Sequence, residues 1–338
     1  MDSVYTQTND AERNEVVAFR RAADGSLSPL GRYETGGKGS GKPHLPSQSS
    51  VVLSGDRSWL LVTNTGSDEL SLFAIGEDGL TLSDRVGSGG TAPTSVAEHG
   101  ALVYVLNNGA PNITGFRIDS GKLTMLEDST RALSSESADP AQISFSPDGK
   151  ALVVTERGTD SISTYAMGGD GKADGPMTIK SSGATPYGFD FRPDGALVVT
   201  EAFGGEVGAA AASSYALDGT KLAPVTGSVK STRSEVCWAA VSRDGKYAYV
   251  TNFGDGTISQ YGIGADGSLE LLDAIAGSTV LGEKGVRDES LTADGRFLYA
   301  IDADAQKVFG WHVQADGKLD PVGSFDGLPA TVAGLAAS

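Results

Sequence analysis

Two glutamates occupy matching places in the chain. Glu156 ends the run ALVVTE and Glu201 ends LVVTE, and the apolar, β-branched stretch before each reads as a strand. Carboxylates brought to one sheltered mouth can divide into an acid and a base, or share a proton. Held apart, each is a rim ion-pair partner, Glu156 for example with Arg157. Arg287 and Arg233 stand out as cations in a chain of formal net charge −17. Either carries the planar fork that grips a carboxylate or oxyanion, or neutralises the acids around it. Together these types point to attack of water on a small carbonyl compound. Glu201 or Glu156 would activate the water or protonate the leaving oxygen, while Arg287 or Arg233 steadied the developing charge.

The remaining candidates bind rather than react. His44, in GGKGSGKPHLPSQ, titrates near neutrality and is a candidate base at the same mouth. Gln48, Gln142, Tyr187, Glu235 and Asp288 lie where strands begin and are expected to meet a substrate. Trp238 is either a stacking platform or channel packing. Phe203 follows Glu201 in TEAFGGEVGAAAASSY, a Gly/Ala run of unusual length. Phe203 and Glu206 are expected to form a small lid there, with Glu201 facing a channel.

Composition narrows the chemistry. The one cysteine, Cys237, allows no intrachain disulfide and no Cys-based zinc site. His44, His99 and His312 form no HExxH-type pair, and GGKGSGK lacks the spacing of a phosphate-binding loop. No cofactor is required. A hard cation such as Ca²⁺ is the one metal the oxygen-rich set Asn107, Glu156, Glu201, Asn252 and Asp302 would suit. Strong acidity disfavours nucleic acid and anionic membranes, and no apolar run approaches the ~18 residues of a membrane helix. MDSVYTQTND is not a signal peptide. The expectation is a cytoplasmic monomer acting on a small molecule, with a secreted form still open.

The elements that position these residues repeat. ISFSPDGKALVVTE recurs as VVLSGDRSWLLVTN, FDFRPDGALVVTE, AAVSRDGKYAYVTN and ESLTADGRFLYAID, with SVAEHGALVYVLN a degenerate copy. Each is two apolar runs around a tight polar turn, a hairpin signature. An aromatic ends the next strand at Phe19, Phe73, Phe116, Tyr165, Tyr215, Tyr261 and Trp311, and a glycine turn follows at Gly25, Gly79, Gly121, Gly171, Gly219, Gly267 and Gly317. Four antiparallel strands, A to D, repeated seven times predict an all-β, seven-bladed β-propeller as one domain over residues 1–338. The chain starts in a strand B, and LPATVAGLAAS reads as the strand A that closes the ring.

This topology sends the strand-B ends and strand-A starts to one face around the central channel. The B ends are Asn9, Asn64, Asn107, Glu156, Glu201, Asn252 and Asp302. In blades 2, 3, 4, 6 and 7 the aromatic follows the B end at a fixed spacing, as in Glu156 to Tyr165. From Glu201 to Tyr215 the spacing is longer, so the Gly/Ala run is an insertion in a B-to-C loop on that face.

ISFSPDGKALVVTERGTDSISTY, AAVSRDGKYAYVTNFGDGTISQY and VYVLNNGAPNITGF resemble the bacterial lactonase-type seven-bladed propellers, a family that includes 6-phosphogluconolactonase-like proteins and carboxymuconate-cyclizing relatives. The resemblance covers essentially the whole chain. It implies opening, or the reverse closure, of a small lactone at the channel mouth without an obligatory metal. It also implies an Arg-His pair at the start of a strand A whose partner strand B ends in Glu. Glu201 or Glu156 matches that Glu, whereas Thr185-Pro186 and Asp139-Pro140 stand where Arg-His would be, so this is a divergent branch. Two alternatives keep the same residues: isomerase or lyase chemistry on the carboxylates, and a non-catalytic propeller that binds a ligand or protein.

Overall fold

The recurring Ser/Thr-x-Asp-Gly turn is a self-contained hydrogen-bonding unit. In the computed structural model, which describes residues 2–43 and 45–338, Ser146 Oγ donates to Asp148 Oδ1 at 2.7 Å. Asp148 Oδ1 accepts the Lys150 amide at 3.1 Å, and Ser146 Oγ accepts the Ala151 amide at 3.0 Å. Gly149, at φ 69°, supplies the left-handed residue that the turn requires. The same hydroxyl-to-carboxylate bond recurs at Ser54–Asp56, Ser242–Asp244 and Thr292–Asp294. These donors hold the Asp56 and Asp148 carboxyls below their ordinary range.

Each such turn joins the innermost strand of a sheet to the next. Seven antiparallel sheets result, each with the order A-B-C-D predicted from the repeats. The A strands are Ala333–Ala337, Val51–Leu53, Pro93–His99, Pro140–Phe145, Pro186–Phe191, Val236–Val241 and Val286–Leu291, for blades 1 to 7. Strand D of blade 3 is broken into Lys122–Met125 and Arg131–Ala132, both paired with Asn112–Asp119. Apolar clusters fill the spaces between successive sheets, as where Tyr104 and Leu106 meet Ile143, Leu152 and Tyr165.

The A strands form a ring that polar side chains stitch from blade to blade. Ser95 Oγ accepts the Ile143 amide at 3.2 Å. Gln142 exchanges two bonds with Phe189, at 2.6 and 2.9 Å. Asp190 Oδ2 accepts Val241 N at 2.8 Å, and Ser290 Oγ accepts Ala337 N at 3.1 Å. The ring closes as expected: Ala333–Ala337 pairs with Ser3–Gln7, and Arg21 Nη2 donates to the Ser338 carbonyl at 3.2 Å. Deleting residues 333–338 bares a long edge strand and uncovers Val4, Val17 and Tyr299. Cooperative thermal unfolding is expected to be lost, with aggregation on size-exclusion chromatography. A monomer that still melts sharply would contradict that role for the strand.

One connection departs from the rest. Blades 4 and 5 pass to the next A strand through residues 181–185 and 231–235, whereas blade 1 uses residues 35–50. The surplus crosses the channel. Ser47 Oγ donates to Thr94 O of blade 3 at 2.7 Å, and Gln48 N donates to Ala141 O of blade 4 at 3.1 Å. The Gln48 side chain then reaches blade 6, donating to Ala239 O at 3.0 Å and accepting Ala239 N at 3.2 Å. Asn9 anchors the glycine-rich start of the segment through Ser40 N at 2.7 Å and Lys42 O at 3.2 Å. Gly39 lies so close to the Asn9 backbone that a Cβ would collide with it, so packing accounts for that glycine.

Candidate functional site

The strand-B ends do not converge on the channel. All seven side chains are buried and turn into the spaces between blades. Glu201 accepts from Gly183 N at 2.7 Å, Ser213 Oγ at 2.5 Å, Ser228 Oγ at 2.6 Å and Ser181 Oγ at 3.4 Å. Glu156 accepts from Ser134 N at 3.2 Å, Thr159 Oγ1 at 2.9 Å, Ser163 Oγ at 2.6 Å and the Ser134 hydroxyl. Burying a carboxylate is costly unless donors saturate it, and these donors come from the blade's own B-to-C loop and strands C and D and from the segment leaving the preceding blade. The expectation that Glu201 and Glu156 face the channel is therefore corrected: both are interblade pins. Gly183 makes the Glu201 contact possible, since a Cβ there would strike both the carboxylate and the Phe203 ring. The oxygen-rich set offered for Ca²⁺ is dispersed likewise. Asn252 Nδ2 donates to Ser259 Oγ at 2.9 Å, and Asp302 accepts from Thr279 Oγ1 at 2.6 Å, each within its own interface.

What does converge is a crescent on the mouth face of blades 4 to 7, and β-bulges assemble it. Register shifts fall between Pro186 and Phe189, between Val236 and Ala239, and between Val286 and Glu289. Bulges re-aim the residues they contain, and these contain Tyr187, Cys237, Trp238, Arg287 and Asp288. Arg287 is only 3% exposed; its guanidinium lies over the Phe253 ring at 5.2 Å and 4.0 Å from Asp304. Its Nε and Nη1 have no hydrogen-bond acceptor among the described residues. Burial lowers its pKa, opposed by the neighbouring charges of Asp288 and Asp304. Asp288 is buried as well, with Oδ1 unpartnered and the Gly334 amide bonded to the carboxylate. Burial pushes its carboxyl up to about 7, against the pull of the Gly334 amide and Arg287.

Around this pair stand Arg157, over the Tyr187 ring at 5.0 Å and bonded to Asp139 at 2.6 Å, and Lys284, bonded to Glu235 at 2.8 Å. Arg233 lies 3.7 Å from Asp255. Four cations thus collect on one rim of an acidic protein. Arg287, Asp288, Tyr187, Arg233 and Glu235 lie together in this crescent, and Phe253 is the wall that sequence reading missed.

Three other candidates take structural places. Trp238 is fully buried, packs edge-on against Tyr187 at 5.8 Å and donates from Nε1 to Ser47 O at 3.1 Å, so it is channel packing and not a stacking platform. Gln48 and Gln142 spend their amides on the cross-channel and blade-to-blade bonds. Phe203 sits in a single 3-10 turn, Phe203–Gly205, at the edge of the crescent, where the Gly205 position approaches the Glu235 side chain. His44 lies outside the described residues. Burial drives the Cys237 thiol far above its ordinary pKa, which suits packing and not attack. Among the described residues no group of three His, Cys, Asp or Glu side chains gathers to hold a metal.

Comparison with known proteins accords with this architecture. The family model "Lactonase, 7-bladed beta-propeller" matches residues 12–135, 129–202 and 202–331; the chain belongs to that family. A Staphylococcus epidermidis relative described only as an uncharacterized protein is 26% identical over 132 residues, 38% of this chain. The match spans 39% of that relative's length. Among solved structures, a "putative 6-phosphogluconolactonase" of Bacteroides uniformis superposes with TM-score 0.77 at 21% identity, covering 98% of both chains. The periplasmic gluconolactonase of Pseudomonas aeruginosa superposes with TM-score 0.75 at 16% identity over 97% of both. Among the described residues no helix is long and apolar enough to cross a membrane.

Proposed function

We propose that the protein is a lactone hydrolase acting on a small lactone that carries an acidic substituent, at the crescent between blades 5 and 7. The observation that carries this reading is the buried Arg287 guanidinium with two unpaired nitrogens beside Asp288. Family membership supports the reaction class, and the Arg287 guanidinium, with two nitrogens that have no acceptor among the described residues, favours an anionic group. Tyr187 and Phe253 wall the site, and Arg157, Arg233 and Lys284 draw the substrate to the rim. Asp288 takes a proton from water as the water oxygen attacks the lactone carbonyl carbon. Arg287 donates to the oxyanion that forms. The acyl–oxygen bond of the ring then breaks, and the ring oxygen receives the proton back from Asp288, leaving a hydroxy acid. Asp288 stands here in place of the glutamates singled out from sequence. The protein acts as a monomer and needs no metal in this scheme.

The test is a lactone panel followed by acid release in a pH-stat. kcat/KM is expected to rise with pH and reach its half-height near the about 7 at which Asp288 ionises, since a base acts only when deprotonated. The charged or titratable groups facing Asp288 are Arg287, Cys237 and Tyr187. Asp288→Asn is expected to abolish this limb. Stability should move the other way: the folded carboxyl binds its proton more tightly than the unfolded one, so stability falls as pH rises from about 4 toward about 7 and then levels. An unchanged pH profile in Asp288→Asn would remove Asp288 from the mechanism.

A further inference from the structure

The channel holds a cavity of about 270 Å³ that Gln48 lines and Asp288 borders. Its walls differ from side to side. Val51, Leu53, Leu291, Leu335 and Ala336 make one side apolar. On the other, Asp190 of blade 5 and Glu289 of blade 7 line the space together with Ala239 and Ala240 of the blade between them, whose small side chains leave room. Glu289 is 5% exposed, and neither of its carboxylate oxygens has a hydrogen-bond partner among the described residues. Asp190 accepts only the amides of Phe191 and Val241, both at 2.8 Å. Arg243 also lines the cavity; its charge acts on Asp190, while its Nε donates to Thr292 O at 3.4 Å, and Glu289 keeps both oxygens unpaired.

A bare, buried carboxylate is costly. Burial, with the nearby Asp190 charge adding to it, pushes the Glu289 carboxyl well above the usual range. A bound cation would relieve both terms. The space far exceeds the ~30 Å³ of one water molecule, and among the described residues no three ligating side chains gather to chelate a metal. One acidic side and one apolar side fit an amphipathic cation better than a naked ion.

We propose that this cavity binds a small aliphatic ammonium ion, its head group held by Glu289 and Asp190 and its alkyl chain laid along Leu291 and Leu335. The inference does not rest on the lactonase reading: Asp288 borders the cavity, but Glu289 and Asp190 take no part in that chemistry. It is tested by isothermal titration of the full chain with n-butylammonium chloride and with 1,4-diaminobutane. Saturable one-to-one binding is expected, weakened at least about tenfold in Glu289→Gln and in Asp190→Asn and unchanged in Arg287→Met. If Glu289→Gln does not fold, Ala240→Leu, which fills the space between the carboxylates, is expected to show the same loss. The proposal is overturned if neither amine saturates, if Glu289→Gln and Asp190→Asn bind as well as the wild type, or if calcium chloride binds more tightly than either amine.

Discussion

Replacing Arg287 by methionine is expected to lower kcat/KM for lactone opening by about two to three orders of magnitude, with no loss of melting temperature. Methionine keeps an apolar stem, gives up the guanidinium contact over the Phe253 ring, and removes a group whose Nε and Nη1 have no acceptor among the described residues. A buried donor without an acceptor is a liability to the fold, so its removal is neutral or stabilising. Arg287→Lys keeps the charge but loses the two-pronged geometry, and its activity should fall between wild type and Arg287→Met. The measurement is initial-rate kinetics beside a thermal melt. Activity within about threefold of wild type, a difference of under ~1 kcal/mol in barrier, would exclude Arg287 from oxyanion stabilisation. A methionine variant that unfolds would instead make it a structural residue.

Glu201→Ala is expected to have the opposite signature: stability lost, and activity per folded molecule retained. The substitution strands Gly183 N and the hydroxyls of Ser213 and Ser228, and leaves the Ser181 hydroxyl only Tyr215 Oη. At ~1–3 kcal/mol for each buried donor left unpaired, partly offset by rearrangement and water, a net cost of about 3 kcal/mol or more follows. Glu201→Gln is milder, because its amide still accepts at one oxygen but its NH₂ faces hydroxyls turned to donate. Urea unfolding, with the lactone assay run on the folded fraction, separates the two quantities. Undiminished stability with abolished turnover would return Glu201 to the chemistry.

The contrast between these two residues marks what the sequence can carry. The blades were legible because hairpin turns, strand aromatics and glycine turns recur in register, and each rests on local bonds such as Ser146 to Asp148. The direction of a strand-end side chain is not local. Glu201 answers to Gly183 and Ser181 at the exit of the preceding blade, and nothing around Glu201 announces them. A partial signal did exist. Asn64, Glu156 and Asn252 bond Ser71, Ser163 and Ser259 at the same offset, so the B-end polar residue and the strand-C serine form a pair repeated in blades 2, 4 and 6, and such repetition speaks for architecture. Arg287 and Asp288 were legible as strand-A starts, but the bulge that gathers them was not. Glu289 and Asp190 could have been read from the repeats: Glu289 stands where the other hairpins have Val51, Ile143, Phe189 and Ala239, and Asp190 where they have Val52, Ser144, Ala240 and Ser290.

The segment across the channel has a consequence for how the molecule comes together. Gln48 and Ala239 are 191 positions apart along the chain, and their bonds are possible only when blades 2 and 6 already stand opposite each other. Contacts of such long range are slow to form. The spoke is therefore a late event in folding, one that locks a circle other contacts have already drawn. Its amide pairing with Ala239 marks a completed wheel, where the hairpins mark only its separate blades.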